Sequence, residues 1–129
     1  MDNTATLGER RDSSDTRTAD QAETFTPSYP RHGTQAARLL GATLTGRSIN
    51  PLEAWREFGI YRTSDVVLRL RKAGWPILTD DLPVLNTFRE ECVVGLYRLE
   101  QAAIDRAGAE GQRFVEDERE VLRQMRRAA

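Results

Sequence analysis

Two helix boundaries lie so close together in "NPLEAWREFGIYRTSDVVLRLRKAG", residues 50–74, that little freedom is left for the fold. Asn50 is a helix-capping residue type, Pro51 suits the first helical position, and Glu53 stands where a capping-box carboxylate reaches back to the cap. Gly59 follows Phe58 where a left-handed residue closes a helix. A helix of about two turns is therefore predicted over 51–58. A second helix must begin almost at once, at Thr63 or Ser64, with one of those hydroxyls as its cap. It is predicted to run to residue 73, to be closed by Gly74, and to turn Val67 and Leu70 inward. "VVLRL" alone would also suit a strand, but its place between a hydroxyl cap and "RKAG" selects helix.

Two short helices cannot bury their own apolar residues, so further elements are required. Ala37, Leu40, Gly41 and Leu44 recur at a spacing of three and four, predicting a helix over 35–45 that Gly46 ends. The apolar set Leu52, Trp55 and Phe58 is expected to face such a partner, and Trp55, Phe58, Trp75 and Tyr97 are assigned to the core. After Gly74 the period changes. "WPILTDDLPVL" and "CVVGLYRL" are β-branched and aromatic segments flanking polar "NTFREE", which predicts a hairpin whose prolines, Pro76 and Pro83, suit an edge strand or bulge. Three short helices followed by a two-stranded ribbon form a winged helix-turn-helix. The predicted fold class is α+β, mainly α, with a disordered N-terminal tail and a C-terminal helix. In such a unit the second helix braces the third, whose outer face is presented to the DNA major groove.

The segment "GTQAARLLGATLTGRSINPLEAWREFGIYRTSDVVLRLRKAGWPI" also resembles a helix-turn-helix family common in bacteriophage and prophage genomes. The resemblance rests on "TQAARLL", the link "GRSINPLEA", "FGIYR" and "LRKAGWPI", with the hairpin segment "VVGLYRL" beyond, and covers about half of the chain. It implies a small DNA-binding or regulatory protein of phage or prophage origin and no reaction. The chain departs from the family at the start of the third helix, with Thr63 where an apolar residue is usual, Asp65 where a small one is, and Val66 where a basic one is.

Charge supplies an independent argument. Residues 31–75 hold eight basic groups (seven Arg and Lys72) against three acidic ones, a balance of +5 in a chain whose net charge is −1. Positive charge is thus gathered in the three-helix unit, where it would draw phosphates. With Val67 and Leu70 inward, Arg62, Asp65, Arg69 and Lys72 share the outward arc of the third helix. Arg69 is the candidate for a base-edge contact, because a guanidinium can engage guanine through two hydrogen bonds. Arg62 and Lys72 are assigned to phosphates and Thr63 and Ser64 to a phosphate at the helix N-terminus or to the cap, with Arg47 in the flanking link and Arg89 on the wing as further DNA-binding candidates. Two features weigh against DNA: Asp65 would repel phosphate unless it accepts from a cytosine amino group or pairs with Arg62 or Arg69, and Arg89 is flanked by Glu90 and Glu91. The alternative reading is a winged-helix protein-interaction module or phage accessory protein.

The flanks divide the chain into a disordered tail over 1–30, the winged helix-turn-helix domain over 31–99, and a helical extension over 100–129. The tail is rich in Thr, Asp, Ser, Ala and Gln; Phe25 and Tyr29 offer packing on the domain as the alternative to an extended linker. The extension is predicted to be interrupted around Gly108 and Gly111. Its apolar Phe114, Val115, Val121, Leu122 and Met125 fall near helical spacing, so it either docks on its own domain or pairs with a second copy as a homodimer. Cys92 and His32 are each the sole residue of their type, which leaves no disulfide, no metal site and no Cys–His nucleophile. Without a phosphate-cradling glycine loop or paired carboxylates, the chain is read as non-enzymatic, with no cofactor and no small-molecule ligand. The start of the chain lacks a basic and apolar leader pattern, so a cytoplasmic protein of a bacterial host cell, associated with the nucleoid and not with membrane, is expected.

Overall fold

The computed structural model describes residues 22–129. The order of elements is α1 (Gln35–Leu44), α2 (Pro51–Phe58), α3 (Thr63–Lys72), β1 (Leu78–Leu85), β2 (Glu91–Arg98) and α4 (Gln101–Ala128). The two strands form one antiparallel ribbon, with Leu78 opposite Arg98 and Leu85 opposite Glu91. This is the winged helix-turn-helix predicted from the sequence, with its C-terminal helix.

Helix α1 forms the centre. Thr34 caps it by accepting from the Ala37 N–H at 3.2 Å, and seven of its ten residues are buried. Short elements can cover a helix from several sides only if that helix is apolar all round, as "AARLLGATL" nearly is. Helices α2 and α3 pack on one part of it and α4 on another. From α3 come Thr63, Val66, Val67 and Leu70, and from α4 Ala103, Ile104, Ala107, Phe114 and Val115, all buried.

The wing is tied to the helices at its base. Ile49 and Tyr97 exchange both backbone hydrogen bonds at 2.9 Å, so the link before α2 adds a one-residue rung beside β2. Arg71 of α3 donates to the Ile77 carbonyl at 2.9 Å and to the Thr79 hydroxyl at 2.8 Å, fixing the start of β1 against the helix. Pro83 lies in β1, whose only paired strand among the described residues is β2, in keeping with the edge position expected of it.

Two expectations need correction. Residues 22–30 do not form an extended tail: Ala22 and Phe25 are buried, and the segment runs over Trp75. The ring centroids of Phe25 and Tyr29 lie 5.0 and 5.3 Å from that of Trp75, and the indole N–H donates to the Ser28 carbonyl at 2.7 Å. The rest of the expected tail, residues 1–21, lies outside the described residues. The hydrophobic core continues across 99/100, as docking of the extension requires: Leu99, Ala103 and Phe114 belong to the same cluster as Leu40 and Trp75. Second, α2 buries only part of its bulky face, with Phe58 partly buried against the core. Its one buried residue is Ala54, while Leu52 and Trp55 are 54% and 53% exposed. The small alanine is what faces the core, leaving the larger side chains at the rim.

The extension is one long helix with a kink at Gly108, where φ is +59° and ψ −143°. Gly111 does not break it; a β-carbon there would meet the Ala107 β-carbon at 2.7 Å, so glycine is required by space rather than by backbone angle. Beyond the kink, Glu118 is buried and accepts from the His32 Nδ1 at 2.7 Å and from the Gly33 N–H at 3.3 Å, joining α4 to the segment before α1. Phe114 and Val115 of the apolar face of α4 are buried on its own domain, the docking alternative, while Met125 near its end is 42% exposed. No helix among the described residues is long and apolar enough to cross a membrane.

Candidate nucleic-acid interface

The presentation of α3 begins with the stop signal of α2. Gly59 takes φ +67° and ψ +26°, and its N–H bonds back to Ala54 and Trp55, so the chain turns sharply. The Asn50–Glu53 capping box is formed in both directions, at 2.8 and 2.9 Å. The carbonyls at the end of α2 are covered by side chains from elsewhere: Arg38 donates to Phe58 at 2.8 Å and Arg126 to Glu57 at 2.8 Å. Ile60, fully buried, plugs the turn. The stub is thus fixed at both ends, and α3 leaves it with one face set toward α1.

That inner face is Thr63, Val66, Val67 and Leu70. The outer face shows Arg62, Ser64, Leu68, Arg69 and Lys72 exposed, with Asp65 half-buried. Arg62 and Asp65 form an ion pair at 2.9 Å, which offsets the one carboxylate on this face. Arg69 and Lys72 have no hydrogen-bond or ionic partner among the described residues. Ser64 stays on the solvent side near the helix start.

Other assigned cations are placed elsewhere. Arg47 grips both oxygens of Glu57 at 2.8 and 2.9 Å, and these hydrogen bonds hold the Glu57 carboxyl below the usual carboxylate range and raise the Arg47 guanidinium. It braces the link to α2 instead of facing outward with α3. Arg89 is exposed at the wing tip, in a left-handed conformation with φ +66°. It lies beyond the last rung of the ladder, about 20 Å along the ribbon from the Thr79 contact with α3. Arg38 and Arg71 are likewise engaged in the helix-end and wing-base contacts described above.

Thr63 is a correction. It is 4% exposed, the residue before it, Arg62, occupies the cap position, and no side-chain hydrogen bond caps α3. Neither Thr63 nor Ser64 therefore caps the helix as expected, and the Thr63 hydroxyl is unavailable to phosphate. It is buried without a hydrogen-bond partner. Two of the three departures from the resembled family, Thr63 and Val66, thus fall on the inner face and leave the outer one untouched. Replacing Thr63 by the isosteric valine removes a desolvated, unpaired hydroxyl, so Thr63→Val is expected to raise unfolding stability by ~1 kcal/mol, read from the urea midpoint. A loss of stability would show that the hydroxyl has a partner.

Leu68 was not singled out from the sequence. It is 51% exposed between Asp65 and Lys72 on the outer face, a position suited to a thymine methyl group. The signal was present: once Val66, Val67 and Leu70 turn inward, the helical period leaves Leu68 outward. Tyr61, 79% exposed in the turn before α3, was also passed over; it meets Trp55 edge-on at 5.6 Å.

No group of His, Cys, Asp and Glu among the described residues could hold a metal ion. The family model of the winged helix-turn-helix domain matches residues 34–107, more than half of the chain. No curated protein and no solved structure gives a significant match. With all three helices and the wing inside the matched span, the chain belongs to the winged helix-turn-helix domain family.

Proposed function

We propose that this protein binds double-stranded DNA by laying the outer face of α3 in the major groove, and that it acts as a transcriptional regulator of the phage or prophage type that its helix-turn-helix segment resembles. The observation that carries this reading is the unpartnered pair Arg69 and Lys72 on the solvent face of a helix held rigidly from behind. Arg69 is positioned to meet a base edge, Lys72 and Arg62 to meet phosphates, and Ser64 to add a hydroxyl at the helix start. Arg62 must exchange or share Asp65 when it does so.

Titration of the protein against mixed duplex DNA at several salt concentrations tests this. Phosphate contacts by Lys72 and Arg62 correspond to a log-log slope of about −1.8, so affinity is expected to fall about tenfold between 50 and 200 mM salt. Undetectable binding at low salt would overturn the reading. A second reading, a winged helix serving protein contacts, is favoured by the acidic groups of the wing and by exposed Trp55 and Tyr61.

A further inference from the structure

Among the described residues, two clusters of exposed apolar side chains stand out, and they differ in charge. The first is on α2 and the turn after it: Leu52, Trp55 and Tyr61 are each more than half exposed, with the two rings in edge contact. Both acids of α2 are already occupied, Glu53 by the Asn50 N–H and Glu57 by Arg47. Arg56, exposed and without a partner among the described residues, gives this face a positive rim. Trp, Tyr and Arg are the residue types that dominate the energetic centres of protein interfaces.

The second surface is the wing tip. Leu85, Phe88 and Val93 are 60%, 82% and 59% exposed. The backbone that carries Phe88 is fixed, because the Asn86 carboxamide oxygen accepts from both the Phe88 and the Glu90 N–H, at 2.8 and 3.0 Å. A turn held in this way loses little backbone freedom on docking. Glu90 and Glu91 flank it and outweigh Arg89, so this surface is apolar with a negative rim.

We infer that the wing tip of one copy docks on the α2 face of a second copy. Apolar groups meet apolar groups, and Glu91 meets Arg56. Within one chain the contact is out of reach. The ribbon is anchored to the α2 side at its base by the Ile49–Tyr97 rung, and its tip projects about 20 Å beyond. Between two copies the same contact can be made twice about a two-fold axis, which closes the assembly as a dimer. This contact differs from the alternative of pairing through the C-terminal helix, whose Phe114 and Val115 are buried on its own domain.

Analytical ultracentrifugation of the full chain without DNA tests the inference separately from DNA binding. Over roughly 10–500 µM protein, the weight-average mass is expected to climb from 14.6 kDa toward twice that value. Phe88→Ser, Trp55→Ser and Arg56→Glu should each weaken association at least about tenfold while leaving the circular-dichroism melt in place, since all three side chains are exposed. Combining Arg56→Glu with Glu91→Arg should restore it. A monomer at every concentration, a dimer indifferent to these substitutions, or a charge swap that restores nothing would each overturn the proposal.

Discussion

Trp75→Ala is expected to lower unfolding stability by ~3–5 kcal/mol, the range for emptying a large aromatic site in a packed interior. The indole is 1% exposed and is the junction of three parts of the chain. It sits one residue past Gly74, which closes α3 with φ +107°, and its backbone N–H bonds to the Leu70 carbonyl at 3.0 Å. Its ring holds Phe25 and Tyr29, and Tyr29 in turn meets Phe114 of α4 at 4.9 Å between centroids. Truncation therefore removes contacts of the N-terminal segment and weakens the seating of α3 and α4 together. Domains of this size have ~5–15 kcal/mol in all, so a large part of the stability is lost and the urea midpoint moves accordingly. Trp75→Phe separates the terms. It keeps a ring in the cluster and leaves the Ser28 carbonyl without its donor, for a loss of ~1–3 kcal/mol. If Trp75→Ala costs less than ~1 kcal/mol, residues 22–30 are not part of the folded core.

That segment marks one limit of what could be read from the sequence. The signals for α1, α2 and the wing are local: a cap three residues before the N–H that donates to it, a glycine needing positive φ, a change of period from helix to strand. Each was visible because the residues that make it are neighbours in the chain. The placement of Phe25 and Tyr29 depends on Trp75, some fifty residues on, and two aromatics in a polar tract carry no local mark of that contact. Trp55 was misplaced for a related reason. Eight residues cover barely two turns, and an arc of Leu52, Trp55 and Phe58 is as periodic as one centred on Ala54; only the close approach of the neighbouring helix selects the alanine. The charge count was correct as arithmetic and incomplete as physics. Of the eight cations in residues 31–75, Arg38, Arg47, Arg62 and Arg71 are held by carbonyls, a hydroxyl or carboxylates of the same domain. A guanidinium that caps a helix end or pins a wing is indistinguishable, in a list of letters, from one that faces solvent.

The distinction sets the second large effect, on DNA. Arg69→Glu combined with Lys72→Glu is expected to weaken binding at 100 mM salt by about two to three orders of magnitude, since a contact worth ~1–3 kcal/mol at a base edge is lost, a phosphate contact is lost, and two carboxylates are set against the DNA backbone. Neither residue has a partner among the described residues, but both stand in the last turn of α3, where cations suit the helix dipole, so the double reversal is also expected to lower unfolding stability by ~1–2 kcal/mol while the fold is kept. The singles divide the roles: Arg69→Ala should cost ~1–3 kcal/mol and relax preference at one base pair, while Lys72→Ala should weaken every duplex alike and reduce the salt slope by about 0.9. Arg71→Ala serves as the contrast, because that side chain is turned to Ile77 and Thr79; its loss should loosen the wing base and lower stability before it touches the salt slope. If Arg71→Ala lowers the slope and the double reversal does not, the DNA-facing surface of α3 lies on the wing side of the helix, and the outward arc of Arg69 and Lys72 is the wrong one.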